Sequence, residues 1–364
     1  MKKNLSLKKK LLIYALTLVS IVFIIVLMII IFGKNMKFSD VEEKMKSAAV
    51  QYYTVHNYLL PVKIGDSETV EASSLVKAKF MKPFTSYNSK AKACSGKVTV
   101  KKVSDSSYTY VSELDCGKLY TSIPFYKQLI DKGTVTTGDG LYHIGNEYIY
   151  RGDNPNNYVT FGGNNFRIVK ATKDNYLMLV LNHSLENTYN WDNRYNVDTN
   201  ETDGINSYSL SRVKDSLNYL YKGTSVVNKA AKDKLVPQEL CIGKRSVLDE
   251  GNSNIVECSV KDAPEYFGLL TVSDFLMGSV DQNCKKALDY SCLNYNYLNQ
   301  FSKDYWLLTA SATNSSLAYK VVSYSNIYQE TTNRSLSLRP TVYLNENIKL
   351  NGGNGTYTNP YLLK

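Results

Sequence analysis

The sequence predicts an α+β protein in three parts: an N-terminal transmembrane helix, a small module of helix and β-hairpin, and a larger domain of short antiparallel strands with few helices. Three observations carry this. Leu11 to Phe32 is a run of 22 residues without a charge. All six cysteines lie beyond that run. From about residue 147 onward, short β-rich segments alternate with Gly, Asn and Asp turn signals. A chain of 364 residues exceeds what one core usually holds. Its 43% hydrophobic and 21% charged content is that of globular protein and excludes wholesale disorder.

Residues 1–10 read as a cytoplasmic tail and residues 11–32 as the membrane span. At about 1.5 Å per residue the span covers roughly 33 Å, enough for a hydrocarbon core of about 30 Å. Five lysines precede it, and Lys34 and Lys37 follow closely. The excess of positive charge before the span places the N-terminus in the cytoplasm and residues 34–364 outside, as a single-pass plasma-membrane protein with the lipid bilayer as its first partner. A cleaved signal peptide is the competing reading; its apolar region would be shorter, and no small-residue cleavage site follows the span. The chain carries a formal charge of +10, but beyond residue 33 the balance is 38 basic against 33 acidic residues. No dense basic stripe interleaves with aromatics, so nucleic acid is not an expected partner. Tyr is the outlier, at 30 against 11 Phe and 2 Trp. It accompanies abundant Asn and Lys, which points to genome composition before a binding surface.

Six cysteines outside the cytoplasm favour disulfides over thiols, and 15 pairings are open. Nearest-neighbour pairing gives Cys94–Cys116, Cys241–Cys258 and Cys284–Cys292. No CxxC occurs and the three His lie far from the cysteines in sequence, so a metal centre is not expected.

In the membrane-proximal module, residues 34–120, Ser39 to Glu42 has the form of a capping box. Val41, Met45, Ala48 and Tyr52 then form one apolar stripe, and Pro61 stops the helix near Asn57 to Leu59. A second short helix is expected from Ser73 or Ser74. Lys97–Val103 and Tyr108–Leu114 form a hairpin; a turn centred on Asp105 puts Cys94 opposite Cys116, with Val98 and Val100 facing Ser112 and Tyr110. The order of membrane helix, amphipathic helix and disulfide-stapled sheet, with EEKMKSAAVQYY, CSGKVTV and YVSELDCGK as its text, resembles the type IV pilins and pseudopilins. The span follows lysines and contains no acid. It thus departs from the prepilin pattern, and only the shape carries over.

Residues 121–140 read as a linker with a short helix over 123–132. In the distal domain, residues 141–364, strands are expected at Glu147–Tyr150, Tyr158–Phe161, Phe166–Ala171 and Tyr176–Leu181. Asn182–Ser207 reads as a long loop. Leu210, Val213, Leu217 and Leu220 form a helical stripe behind a Ser209 cap. A strand ends near Leu269–Val272, Ser273 caps a short helix, and late strands follow at Tyr305–Ala310, Ala318–Ser323 and Thr341–Leu344. The ordered segments YVTFGGNNFRIVKATKDNYLMLVLN, LLTVSDFLMG, DYWLLTASATN, SLSLRPTVYLN and GGNGTYTNPYLL resemble a surface-protein domain family of low-GC Gram-positive bacteria, itself uncharacterised. The resemblance implies a C-type-lectin-like architecture, as in formylglycine-generating enzymes.

In such an architecture long loops on a strand scaffold form the binding surface. The expected ligand contacts are Trp191, Arg194 and Tyr195 in the long loop, and Tyr305 and Trp306 beside the closing strands. Arg339 is expected to cap carbonyls or join a structural ion pair. Asp198, Asn200 and Asp203 are weak calcium candidates, since the glycine is one place late for an EF-hand and no bidentate Glu follows. Arg151-Gly152-Asp153 is an integrin-type tripeptide in a turn-rich segment, where chance explains it. Neither GxSxG nor a phosphate-cradling loop occurs. No catalytic residue and no cofactor is expected. The sequence thus points to surface recognition of a glycan, peptide or surface protein. A cell-envelope enzyme and a component of a pilus-like or secretion assembly are the alternatives.

Overall fold

The computed structural model describes Ser20 and residues 35–251, 255–299 and 302–363. The expected tail 1–10 and membrane span 11–32 lie outside the described residues, Ser20 excepted. Among the described residues no helix is long and apolar enough to cross a membrane. The fold is mixed α+β, mostly antiparallel and poor in helix. It forms two compact units that divide between Ile123 and Pro124.

In the first unit, α1 (Phe38–Val55) buries Val41, Met45, Ala48, Ala49 and Tyr53. The buried stripe ends on Tyr53 rather than Tyr52, which stacks on His56. The expected capping box does not form. The helix starts at Phe38, so Ser39 already lies in the first turn, and no side chain caps the end. Glu42 instead accepts hydrogen bonds from Ser112 Oγ (3.0 Å) and Tyr120 OH (2.6 Å), which ties the helix to the sheet side of the unit. After β1 (Ser67–Glu71) and α2 (Ala72–Lys77) comes the hairpin of β2 (Ser95–Ser104) and β3 (Ser107–Asp115). β1 joins β2 to complete an antiparallel three-stranded sheet. Val98 pairs with Ser112 and Val100 with Tyr110, in the register expected from Asp105. A Cβ on Gly96 would meet Met45 Sδ at 2.7 Å, so the missing side chain lets the helix lie against the sheet.

The second unit opens with α3 (Phe125–Asp131), whose Phe125 and Leu129 are buried in its core. The segment expected as a linker therefore belongs to this unit from residue 124 on. Strands β4 (Gly140–Ile144), β5 (Glu147–Arg151), β6 (Tyr158–Phe161), β7 (Asn164–Ala171), β8 (Leu177–Leu181) and β9 (Thr188–Asn190) follow. Next come α4 (Arg212–Lys222), β10 (Gln238–Cys241), β11 (Lys261–Glu265), β12 (Phe267–Gly268) and α5 (Val272–Gly278). The chain closes with β13 (Tyr305–Ala310), β14 (Leu317–Val321), β15 (Ile327–Thr331), β16 (Ser335–Ser337), β17 (Thr341–Leu344) and β18 (Tyr361–Leu362). Among the described residues, one sheet runs β12-β17-β8-β7-β5-β4, with β6 on β7 and β18 on β6; a second runs β15-β14-β13-β16-β9; β10 and β11 pair alone. β8 and β13 are buried along their whole length, which explains the unbroken apolar sequence of β8 and, Thr309 excepted, the large apolar and aromatic residues of β13. Two helix starts differ from expectation. Ser211, not Ser209, caps α4, and Leu210 is exposed. Thr271 caps α5 in a reciprocal box with Asp274, while Ser273 turns to Glu257.

All six cysteines are bridged, as Cys94–Cys116, Cys241–Cys258 and Cys284–Cys292. The first joins the ends of the hairpin in a unit with a small core. Replacing Cys94 and Cys116 together by Ser is expected to cost the first unit about 3 kcal/mol. Hydrogen exchange at the β2 and β3 amides, read against unchanged protection of β7 and β8, checks this.

Candidate functional site

The second unit contains a recess of about 390 Å³. Its floor is set by β5, β7, β17 and the start of α5. The pairing of β7 with β8 shifts between Ile168 and Lys170, an irregularity of the kind that re-aims side chains. Lys170 is almost wholly buried, its Nζ 3.2 Å from Glu147 Oε2 and 3.5 Å from Asp274 Oδ1. Asp274 serves two elements: Oδ2 accepts from the backbone N–H and the hydroxyl of Thr271 in the helix cap, while Oδ1 faces the ammonium. Burial alone pushes the Lys170 pKa down. Asp274 first, then Tyr343 and Glu147, outweigh it, and the pKa ends above the ordinary lysine value. Burial pushes the Tyr343 phenol up to about 12.

Met178, Leu240, Leu269 and Leu308 line the recess with apolar surface. Exposed Lys173, Asp174, Glu239 and Lys261 stand among the lining residues, as does the Cys241–Cys258 bridge. An apolar cup on whose floor a few charges converge is the usual form of a small-ligand pocket. One ammonium between two carboxylates leaves a net negative floor, which suits hydroxyl-rich or cationic groups.

The residues expected to meet ligand lie elsewhere, mostly inside. Trp191 is fully buried and its Nε1 donates to Leu307 O at 3.1 Å. Trp306 is also fully buried, with Nε1 donating to Tyr189 O at 2.9 Å. Tyr305 is buried too; its hydroxyl donates to Leu298 O (2.6 Å) and accepts from Arg339 Nη1 (3.1 Å). These three are corrected from surface to core. Their rings bring large apolar area, and each polar tip finds a partner inside. Arg194 is pinned to the buried Asp192 at 2.7 Å. Tyr195 is the most open of the five, about half exposed, and Arg194 is partly exposed. Arg339 caps carbonyls, those of Leu181 and Leu298.

Two of the three calcium candidates, Asp203 and Asn200, are engaged by neighbouring side chains. Asp203 Oδ1 accepts from Thr199 Oγ1 at 2.7 Å, and Asn200 Oδ1 accepts from Tyr195 OH. Among the described residues no group of three or more His, Cys, Asp or Glu is arranged to hold a metal. The Arg-Gly-Asp tripeptide is built into the fold: Arg151 donates to Ser279 O, and Gly152 takes a positive φ against Asp139. The Lys170 cluster was not anticipated. Its signal was a lysine in the apolar run FRIVKA and an aspartate in LLTVSDFLMG, charges where an apolar strand and helix offer no water.

Searches of family models, of curated proteins and of solved structures found no match to this chain.

Lys170→Met is expected to destabilise the second unit by about 3 kcal/mol, because it leaves Glu147 and Asp274 facing each other without a counter-charge. The sign of the pH dependence follows from the raised pKa. Stabilisation by Lys170 is complete below the ordinary lysine value and fades only as pH climbs through the raised one. The loss on substitution should therefore stay constant from about pH 6 to about pH 9 in denaturant titrations.

Proposed function

We propose that the chain is a single-pass plasma-membrane protein whose extracellular part recognises a ligand: a glycan, a peptide or another surface protein. The observation that carries this is the cystine set. Three bridges form between near neighbours and no thiol is left free among the described residues, which suits an oxidising exterior and leaves no cysteine nucleophile. The 22-residue charge-free run behind five lysines supplies the anchor and its direction. A helix packed on a disulfide-closed antiparallel sheet supports reading the first unit as pilin-like. Short strands, few helices and long tied loops support reading the second as C-type-lectin-like.

The test uses the full chain. On intact cells, protease added outside should remove the cystine-bearing region, and a membrane-impermeant thiol reagent should label nothing before reduction. Protected protein, or thiols labelled without reduction, would overturn the placement. Purified in detergent micelles, the chain should bind members of glycan, peptide or cell-wall arrays.

A cell-envelope enzyme is the second reading, favoured by two carboxylates flanking Lys170 in a recess. Turnover of an envelope substrate by the full chain, lost in Glu147→Gln without loss of folding, would replace recognition with catalysis. Absence of turnover with array binding intact would retire it.

A further inference from the structure

β7 carries a second buried cation, Arg167, only 3% exposed. Lys170 and Arg245 both touch carboxylates, but Arg167 touches none among the described residues. Its Nε donates to Asn157 Oδ1 (2.5 Å) and its Nη2 to Pro155 O (3.2 Å). Nη1 has no protein partner among the described residues. The rings of Tyr158 and Tyr297 lie 3.6 and 4.7 Å from the guanidinium carbon. Burial pushes the Arg167 pKa down to about 10; Arg339 adds to this, while Tyr158, Tyr297 and Asp139 oppose it. Asp139 is itself held by the N–H groups of Asp153 and Asn154.

Arg167 lines a second recess, of about 310 Å³, shared with Asn182, His183, Ser184 and Tyr324. Ser184 provides an independent sign: its Oγ is buried and has no hydrogen-bond partner among the described residues. Lys303 and Glu186 also line the recess but neutralise each other at 2.7 Å. Burial, then Arg339, pushes the His183 imidazole below its ordinary pKa, so it adds little charge at neutral pH. The unbalanced charge of the recess is thus that of Arg167. A buried cation without a counter-charge is costly unless something supplies one, and guanidinium matches carboxylate and phosphate best.

We propose that this recess is an oxyanion subsite, taking the carboxylate or phosphate of a small polar ligand on Arg167 and Ser184. This deepens the recognition reading, and rests on it only for the ligand's arrival from outside the cell.

The experiment titrates the full chain in detergent micelles, in phosphate-free buffer, with glycerol phosphate and with glucuronate. Methyl glucoside and matched sodium chloride are the neutral and ionic-strength controls. Calorimetry should show saturable binding of at least one of the two anions and none of the controls. A response to glycerol phosphate alone assigns phosphate, to glucuronate alone carboxylate, and to both the shared charge. Ser184→Asp, which places a carboxylate in the recess, should raise the unfolding midpoint and weaken anion binding about tenfold or more. Ser184→Ala should weaken binding with the midpoint unchanged. No saturable response above chloride, or unaltered affinity in Ser184→Asp, would overturn the subsite. Neither result bears on membrane topology, which the cell-shaving test reads separately.

Discussion

The second unit is organised around a buried ion pair. Arg245 and Glu257 are both fully buried, with Nη1 3.1 Å from Oε1 and 3.2 Å from Oε2. Burying two charges is expensive and is tolerated only where further hydrogen bonds complete both groups. Here they do. Glu257 also accepts from the N–H of Ser273 (3.2 Å), its hydroxyl (2.7 Å) and Thr309 Oγ1 (3.4 Å). The Arg245 backbone bonds to Ala310 and Ala312, and Tyr319 OH donates to its carbonyl. One pair thus stitches the segments 242–251 and 255–258 to the start of α5 and to β13. The Cys241–Cys258 bridge closes these segments at their outer ends. Through α5 the same constraint reaches the larger recess, since Asp274 follows Ser273 directly and holds Lys170.

The abundant Asn has a structural use. Asn157, Asn196, Asn206, Asn296 and Asn326 are buried, and each side-chain amide donates to backbone carbonyls. Asn206 alone serves Ser311, Asn314 and Leu317. A unit with long loops has many carbonyls outside any ladder, and buried amides supply the missing donors. This accounts for a loop such as 191–207 being tied down: Asp192 accepts from Arg194 and the Ile205 N–H, and Gly204 approaches the Asp192 carbonyl where a Cβ would stand at 2.4 Å.

Much of the strand pattern was legible because strand signals are local. β6, β13 and β17 fall on the expected residues, and β5, β7 and β8 within two residues of them. The hairpin register followed from turn position alone, and with it Cys94–Cys116. Short strands such as β9, β16 and β18 were not legible, since two or three residues carry no period. The N-cap positions expected at Ser39, Ser209 and Ser273 are each displaced by two residues, to Lys37, Ser211 and Thr271, the first without a side-chain cap. Ser, Thr and Asp cap about equally well, so the site of the cap depends on where packing starts the helix.

The candidate sites divide along the same line. Composition, turn chemistry and the spacing of cysteines are properties of neighbours in the chain, and they determined the α+β class, about half of the strands and the local cystines. Which aromatic rings go inside, and which charges meet, depends on residues brought together from more than a hundred positions apart. Trp191 reaches the Leu307 carbonyl and Lys170 reaches Asp274 only once the sheets are assembled. Burial and ion pairing are collective outcomes of packing, so tertiary structure alone decided that the tryptophans are core and that Lys170 and Arg167 line the recesses.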